Sequence, residues 1–305
     1  MILVGTSGFK FDDWKGAFYP EDVKQKDWLN YYGERFDCVE VNSTYYRLLH
    51  PATFFHMANK VPEGFRFTVK TYRTLTHEAG SDNEADFASF IESLQPLIEA
   101  EKFGCVLAQF PTSFHNTPGN RQYLAAFCDH FAEYPLVVEF RNRQWAKEAV
   151  VEFLRERQIG WCAVDEPQFK SLMPPLAIAT SPVGYVRFHG RNYKTWWKGD
   201  GKTRYDYLYS EDELKEWVPK IRQMEGEADV VYVFMNNCFG GQAAKNAADM
   251  QRLLLGAEDS QRQGARIGGL LQHPPDGSRH DGDGEQEGEH GDGEDAAEND
   301  APTDG

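Results

Sequence analysis

The chain has 305 residues, 41% of them apolar and 14% aromatic, which is ample for a substantial core, and a formal net charge of −16 at pH 7. No uninterrupted apolar run approaches the roughly 20 residues needed to cross a bilayer, and the N-terminus enters strand-like residues without the charged and apolar regions of a signal peptide. Five cysteines, an odd number without CxxC spacing, fit a reducing, cytoplasmic setting.

In chain order the patterning predicts a strand at residues 2–6, a helix at 23–36, a strand at 38–42, a helix at 51–60 and a strand at 66–70. A helix at 83–102, a strand at 104–109, a helix at 119–132 and a strand at 136–140 come next. A helix at 144–157 and a strand at 160–164 lead into an irregular connection, where Pro167, Pro174 and Pro175 break any long helix. A strand at 184–188, a helix at 211–224, a strand at 230–235 and a helix at 242–255 complete the pattern. The strands are nearly continuously apolar, as strands covered on both faces are. Eight of them alternating with helices predict a single-domain (β/α)8 TIM barrel over residues 1–255, with a doubly wound open sheet as the lesser alternative.

Charge is distributed unevenly along this plan. Residues 256–305 carry 14 acids against 3 bases, whereas residues 1–255 carry 34 acids against 29 bases. From Asp276 onward the chain is almost wholly Gly, Asp, Glu, His and small polar residues, too little apolar surface to offset the entropy of ordering. Residues 256–305 therefore read as a disordered acidic tail serving solubility or salt adaptation, with an electrostatic shield over a basic loop as the lesser reading.

All eight predicted strand ends are polar. They hold Thr6 and Ser7, Glu40 and Asn42, Lys70, Gln109, Glu139 and Arg141, Asp165, Arg187 and His189, then Asn236 and Asn237. Side chains two apart share a face, so Glu40 joins Asn42, Glu139 joins Arg141 and Arg187 joins His189. In a barrel these groups converge on the C-terminal mouth, where such folds place their chemistry. Polar residues that merely end apolar runs would account for one or two, but Glu40, Lys70, Arg141 and Arg187 belong to types rarely buried without a partner. The seventh predicted strand opens a basic stretch. Residues 183–209 carry Arg187, Arg191, Lys194, Lys198, Lys202 and Arg204, interleaved with Tyr193, Trp196, Trp197, Tyr205, Tyr207 and Tyr209. Such a local reversal of charge suggests that something anionic docks there.

The motifs carry a resemblance. GTSGF with Trp14, the VEVNSTYYR of residues 39–47, FTVK ending at Lys70, His77, the QFP of 109–111, VEFRN around Glu139, Asp165, YVRFHGR at 185–191, YDYLYS at 205–210, and Asn236 and Asn237 followed by Asn246 together resemble the domain-of-unknown-function 72 family, the YecE-like proteins. The resemblance covers residues 2–255 and implies a TIM barrel. It implies no established activity.

The candidate chemistry follows from residue types. Lys70, Arg141, Arg187 and Arg191 are cationic and His189 becomes so near neutral pH. Asn236 and Asn237 precede Gly240 and Gly241 at the opening of the last helix, a place where TIM barrels hold phosphate. Glu40 and His189 are the proton-transfer candidates, with Asp165 orienting the histidine and Glu139 orienting Arg141 or Arg187. Asn42, Gln109 and Tyr205 join the substrate-binding set. No cofactor signature is present, and a single divalent metal on Glu40, Glu139 or Asp165 stays open. The leading expectation is an enzyme of hydrolase or lyase/isomerase type acting on a small anionic, often phosphorylated, substrate. The alternatives are nucleic-acid binding or processing through the loop at 190–209, and a non-catalytic ligand-binding barrel.

Overall fold

A computed structural model describes residues 1–78, 83–199 and 201–270. Eight strands form one wholly parallel sheet: β1 (Ile2–Thr6), β2 (Cys38–Val41), β3 (Arg66–Lys70), β4 (Phe103–Phe110), β5 (Leu136–Phe140), β6 (Gly160–Asp165), β7 (Val183–Phe188) and β8 (Val230–Met235). From β2 to β8 each strand pairs with the next in sequence, β1 pairs with β8 with Ile2 lying opposite Val231, and an isolated parallel bridge between Ser7 and Glu40 joins β1 to β2. The sheet is thus a closed barrel, and the open doubly wound alternative is excluded. The strands fall within two residues of their predicted bounds because apolar runs buried on both faces are hard to place anywhere else.

The helices are α1 (Trp28–Gly33), α2 (Ser43–Tyr46), α3 (Pro51–Ala58), α4 (Glu84–Glu99), α5 (Pro118–His130), α6 (Glu148–Glu156), α7 (Gly201–Arg204), α8 (Glu211–Lys215), α9 (Val218–Glu225) and α10 (Gln242–Leu270). Several begin on recognisable caps: the Thr117 side chain accepts from Asn120 N at the start of α5, and Ser210 with Glu213 forms a capping box on α8. The single helix expected over 211–224 is broken between α8 and α9. Pro219 lies in the first turn of α9, where its ring would collide with the preceding turn of a continuous helix. The break matters because it turns Trp217 toward the barrel, where the residue is fully buried.

The seam between β1 and β2 is unlike the others. A parallel bridge joins Ser7 to Glu40, and below it the hydroxyl of Tyr32, on α1, stands between the strands. It accepts from Thr6 N at 2.9 Å and donates to the Cys38 carbonyl at 3.0 Å. The strands come so close that a Cβ on Gly5 would lie 2.2 Å from the Cys38 oxygen, so only glycine fits.

Between β6 and β7 no regular element occurs, as the three prolines predict. The segment expected to be a disordered acidic tail lies, from residue 271, outside the described residues. The α10 assignment runs on to Leu270 past a non-helical Gly256, beyond the boundary placed at residue 255. Among the described residues, no helix is long and apolar enough to cross a membrane.

Candidate functional site

The inward faces of the strands stack side chains in layers. Rings come first: Tyr185 packs near Tyr232 and Phe234 of β8, at centroid distances of 6.1 and 5.3 Å. The Tyr185 hydroxyl then reaches Thr68 at 2.9 Å and donates to Glu40 Oε2 at 2.7 Å. Above it Arg187 crosses the barrel. Its Nη2 donates to Glu40 Oε1 and its Nη1 to Glu139 Oε2, both at 2.6 Å. The second oxygen of Glu139 meets Arg141 Nε at 2.5 Å and His189 Nε2 at 3.1 Å. Arg141 continues the chain, donating from Nη1 to Glu166 Oε2 at 3.0 Å. Carboxylates and guanidiniums thus alternate from β2 to the end of β6, as buried charges must if each is to keep a partner.

This arrangement sets the protonation states. Burial pushes the Glu139 carboxyl up, but Arg187, Arg141 and His189 together outweigh it and hold the group well below the usual carboxylate range. His189 is fully buried, and burial, with the nearby Arg141 charge, lowers its pKa to about 3. It is therefore neutral, not cationic, near pH 7, contrary to the expectation from its residue type. The neutral ring donates Nε2–H to Glu139 and accepts at Nδ1 from Asn236 at 2.9 Å. Burial raises Glu166 to about 7 against the pull of Arg141.

Other predicted residues line the same mouth. Lys70 Nζ lies over the Tyr45 ring, 4.2 Å from its centroid. The His77 ring packs edge-on against Tyr45, and its Nε2 lies 3.4 Å from Gln109 Nε2. Tyr205 stands 6.1 Å from the His189 ring, between centroids. Asn42 leads into α2, and among the described residues its buried Oδ1 has no hydrogen-bond partner.

Four expectations are corrected. Asp165 does not orient the His189 ring. Its carboxylate faces the helical layer, where it takes Arg191 Nη2 at 2.7 Å, the Tyr209 hydroxyl at 2.7 Å and the Trp217 indole at 2.6 Å. Arg191 is correspondingly held by Asp165, Glu213 and Glu216 and belongs to that bracket, not to the mouth. Asn237 also points outward, donating to the Tyr207 carbonyl and to Asn246 Oδ1. The glycine turn before α10 does not stand open for phosphate, since Gly240 N already donates to Asp13 Oδ2 at 2.8 Å.

The outward turn of Asp165 has a simple cause. Cys162 approaches Glu139 inside the barrel, at 4.0 Å, so on β6 the inward residues are Cys162, Val164 and then Glu166. The sequence reading stopped one residue short and missed Glu166. Glu40, Glu139 and Asp165, the carboxylates considered for a divalent metal, are all engaged by arginine, hydroxyl or indole donors. Among the described residues no three His, Cys, Asp or Glu side chains form a metal-holding group.

A wholly parallel eight-stranded barrel with alternating helices, its charged residues gathered at the C-terminal ends of the strands, defines a (β/α)8 TIM-barrel protein. The sequence profile described as "Protein of unknown function DUF72" matches residues 3–266, and the chain belongs to that family. It is 32% identical over 273 residues to the UPF0759 protein YunF of Bacillus subtilis (strain 168), covering 83% of this chain and 95% of that protein. It is 30% identical over 119 residues to the UPF0759 protein YecE of Escherichia coli (strain K12), covering 38% and 42%. Among solved structures, a DUF72 family protein from Thermotoga maritima MSB8 superposes with a TM-score of 0.78 at 42% identity, covering 84% of this chain and 99% of that one. Another, from Enterococcus faecalis V583, gives 0.75 at 30% identity, covering 84% and 96%.

Proposed function

We propose that the C-terminal mouth binds a small anionic ligand, a phosphate or carboxylate, and stabilises negative charge that develops on it. One observation carries this reading: the cluster's charges are graded by depth. Glu40 and Glu139 are 0% exposed, whereas Lys70 and Arg141, the charged groups of the cluster with most access to solvent, are each 8% exposed, and both are cations. The two cations are thus the cluster charges nearest the opening, and the field there favours an anion. Arg141 is held in place by Glu139 and Glu166 before any ligand arrives, and fixed charge of that kind costs no reorganisation during reaction.

In this reading Glu40 and His189 hold charge in place and do not transfer protons. Both Glu40 oxygens and both His189 ring nitrogens are already engaged. The chemistry this favours is electrostatic stabilisation of an enolate or phosphoryl group, with Tyr205, Gln109 and Asn236 supplying hydrogen bonds at the rim. Inorganic phosphate tests the reading. Saturating phosphate should raise the melting temperature of the intact chain by a few degrees, since a ligand at about 100 times its Kd stabilises by roughly 2.7 kcal/mol. Lys70→Met should weaken that binding at least tenfold, while Lys194→Met leaves it unchanged. Equal binding by the wild type and Lys70→Met would reject the mouth as the anion site.

A second reading is favoured by the loop after β7. Tyr193 and Trp197 are 53% and 44% exposed beside the exposed Lys194 and Lys198, which suits base stacking with phosphate contacts. Trp196, the third expected stacking residue, is buried. A labelled single-stranded oligonucleotide should bind with a steep salt dependence, and Trp197→Ala should abolish that binding if this reading holds.

A further inference from the structure

We infer that Glu166 is a positioning residue that sets how much of the Arg141 charge the mouth presents to an anion. The inference rests on the anion-binding reading above and names its regulation. Glu166 is 1% exposed. One oxygen takes Arg141 Nη1 at 3.0 Å and the other takes the backbone N of Met173 at 3.1 Å. Arg141 is thereby shared between two carboxylates, with Glu139 at its Nε and Glu166 at its Nη1.

The two partners differ in what they can change. Glu139 is surrounded by Arg187, Arg141 and His189 and stays ionised throughout the physiological range. Glu166 faces Arg141 and Glu139 from the end of β5 and a backbone amide from its own connection, and its carboxyl titrates at about 7. His189, on the far side of Glu139, stays neutral over the same range. Whatever else lines the mouth, protonating Glu166 removes one negative charge from the set formed by Glu40, Glu139, Glu166, Lys70, Arg141 and Arg187, next to a rim cation. A proton taken up by a group buried beneath the mouth therefore makes the opening more attractive to anions, without any side chain leaving its place.

Sulfate is the probe, because its charge is constant over the range concerned. Calorimetric titration of the intact chain at fixed ionic strength, from about pH 6 to about pH 8.5, should show wild-type affinity falling on the order of tenfold as pH rises, the effect of one charge acting within the protein. Glu166→Gln keeps the volume and an oxygen for Met173 N, and should hold the low-pH affinity across the whole range. Wild-type binding that is flat with pH, or a Glu166→Gln protein that keeps the wild-type slope, overturns the inference and leaves the anion site standing. No sulfate binding at any pH overturns both. Should Glu166→Gln fail to fold, the wild-type profile decides, read beside the infrared carboxyl band that must titrate in the same window.

Discussion

Arg187 spans the barrel from Glu40 on β2 to Glu139 on β5, with a hydrogen bond of 2.6 Å at each end. The guanidinium is 2% exposed and both carboxylates are 0% exposed, so this one side chain bridges two buried acids on opposite sides of the core. Arg187→Met would leave both without their main counter-charge. Removing one member of a buried ion pair costs about 3–5 kcal/mol, and urea unfolding should show a loss of that order or greater. Adding Glu40→Gln and Glu139→Gln to Arg187→Met should recover much of the loss. A triple variant no more stable than the single one would mean that packing, not charge, governs this layer.

The closing seam makes a second prediction. Tyr32→Phe would leave Thr6 N and the Cys38 carbonyl, both buried, without their partner, at roughly 1–3 kcal/mol for each group. Gly5→Ala should cost more, because its Cβ would meet a backbone oxygen that cannot move without opening the barrel. Thermal unfolding of the two variants should rank them in that order.

Stability should respond to pH through three buried groups of unlike sign. The unfolded chain protonates His189 near its ordinary 6.5, but the folded chain does so only at about 3, so this term loses stability as pH falls from 6.5. Glu139, depressed in the fold, adds a further loss below its ordinary 4.5. Glu166 acts in the opposite direction: the folded chain binds its proton below about 7 and the unfolded chain only below 4.5, so stability rises as pH falls between those values. Between 4.5 and 6.5 the histidine and Glu166 terms offset each other. Stability should therefore be nearly flat there and fall steeply below. In Glu166→Gln the decline should begin already at 6.5, and chemical denaturation across this range measures both profiles.

Asp165 is a bracket holding the loop after β7 against α9, and its loss should separate structure from binding. Asp165→Asn keeps the shape but lacks the charge that holds Arg191 and one of the acceptors used by Tyr209 and Trp217. The expected result is a loss of about 2–4 kcal/mol and a changed Trp217 emission, with phosphate affinity at the mouth kept within a few fold. Loss of phosphate binding at unchanged stability would return Asp165 to the mouth.

The barrel was legible because its signal is redundant: eight apolar runs, each followed by a polar end, admit few closures. The inward sets on β2, β5 and β7 were also legible, since Glu40, Glu139 with Arg141, and Arg187 with His189 obey the two-residue period. What failed was the transfer of that rule to β6. The acidic pair Asp165 and Glu166 puts one carboxylate on each face, and only knowledge of where Cys162 points decides which is which. The cationic count at the mouth misled for a different reason. Arg191 is close to His189 in sequence, but the carboxylates that claim it come from β6 and α8 and from Glu216 just beyond, and pairing across such distances leaves no local trace. The Asp13 carboxylate on Gly240 N is the same kind of contact, made across 227 residues.

The pairing of β1 with β8 also bears on how the protein is made. Ile2 finds Val231 only after 229 further residues have been added, which at a ribosomal rate of about 5–20 residues per second takes roughly 10 to 45 s. For that interval the first strand, apolar and wanting a neighbour, is the edge most in need of protection from other chains. Chaperone dependence in the cell should therefore be relieved by a circular permutation that places β8 directly before β1.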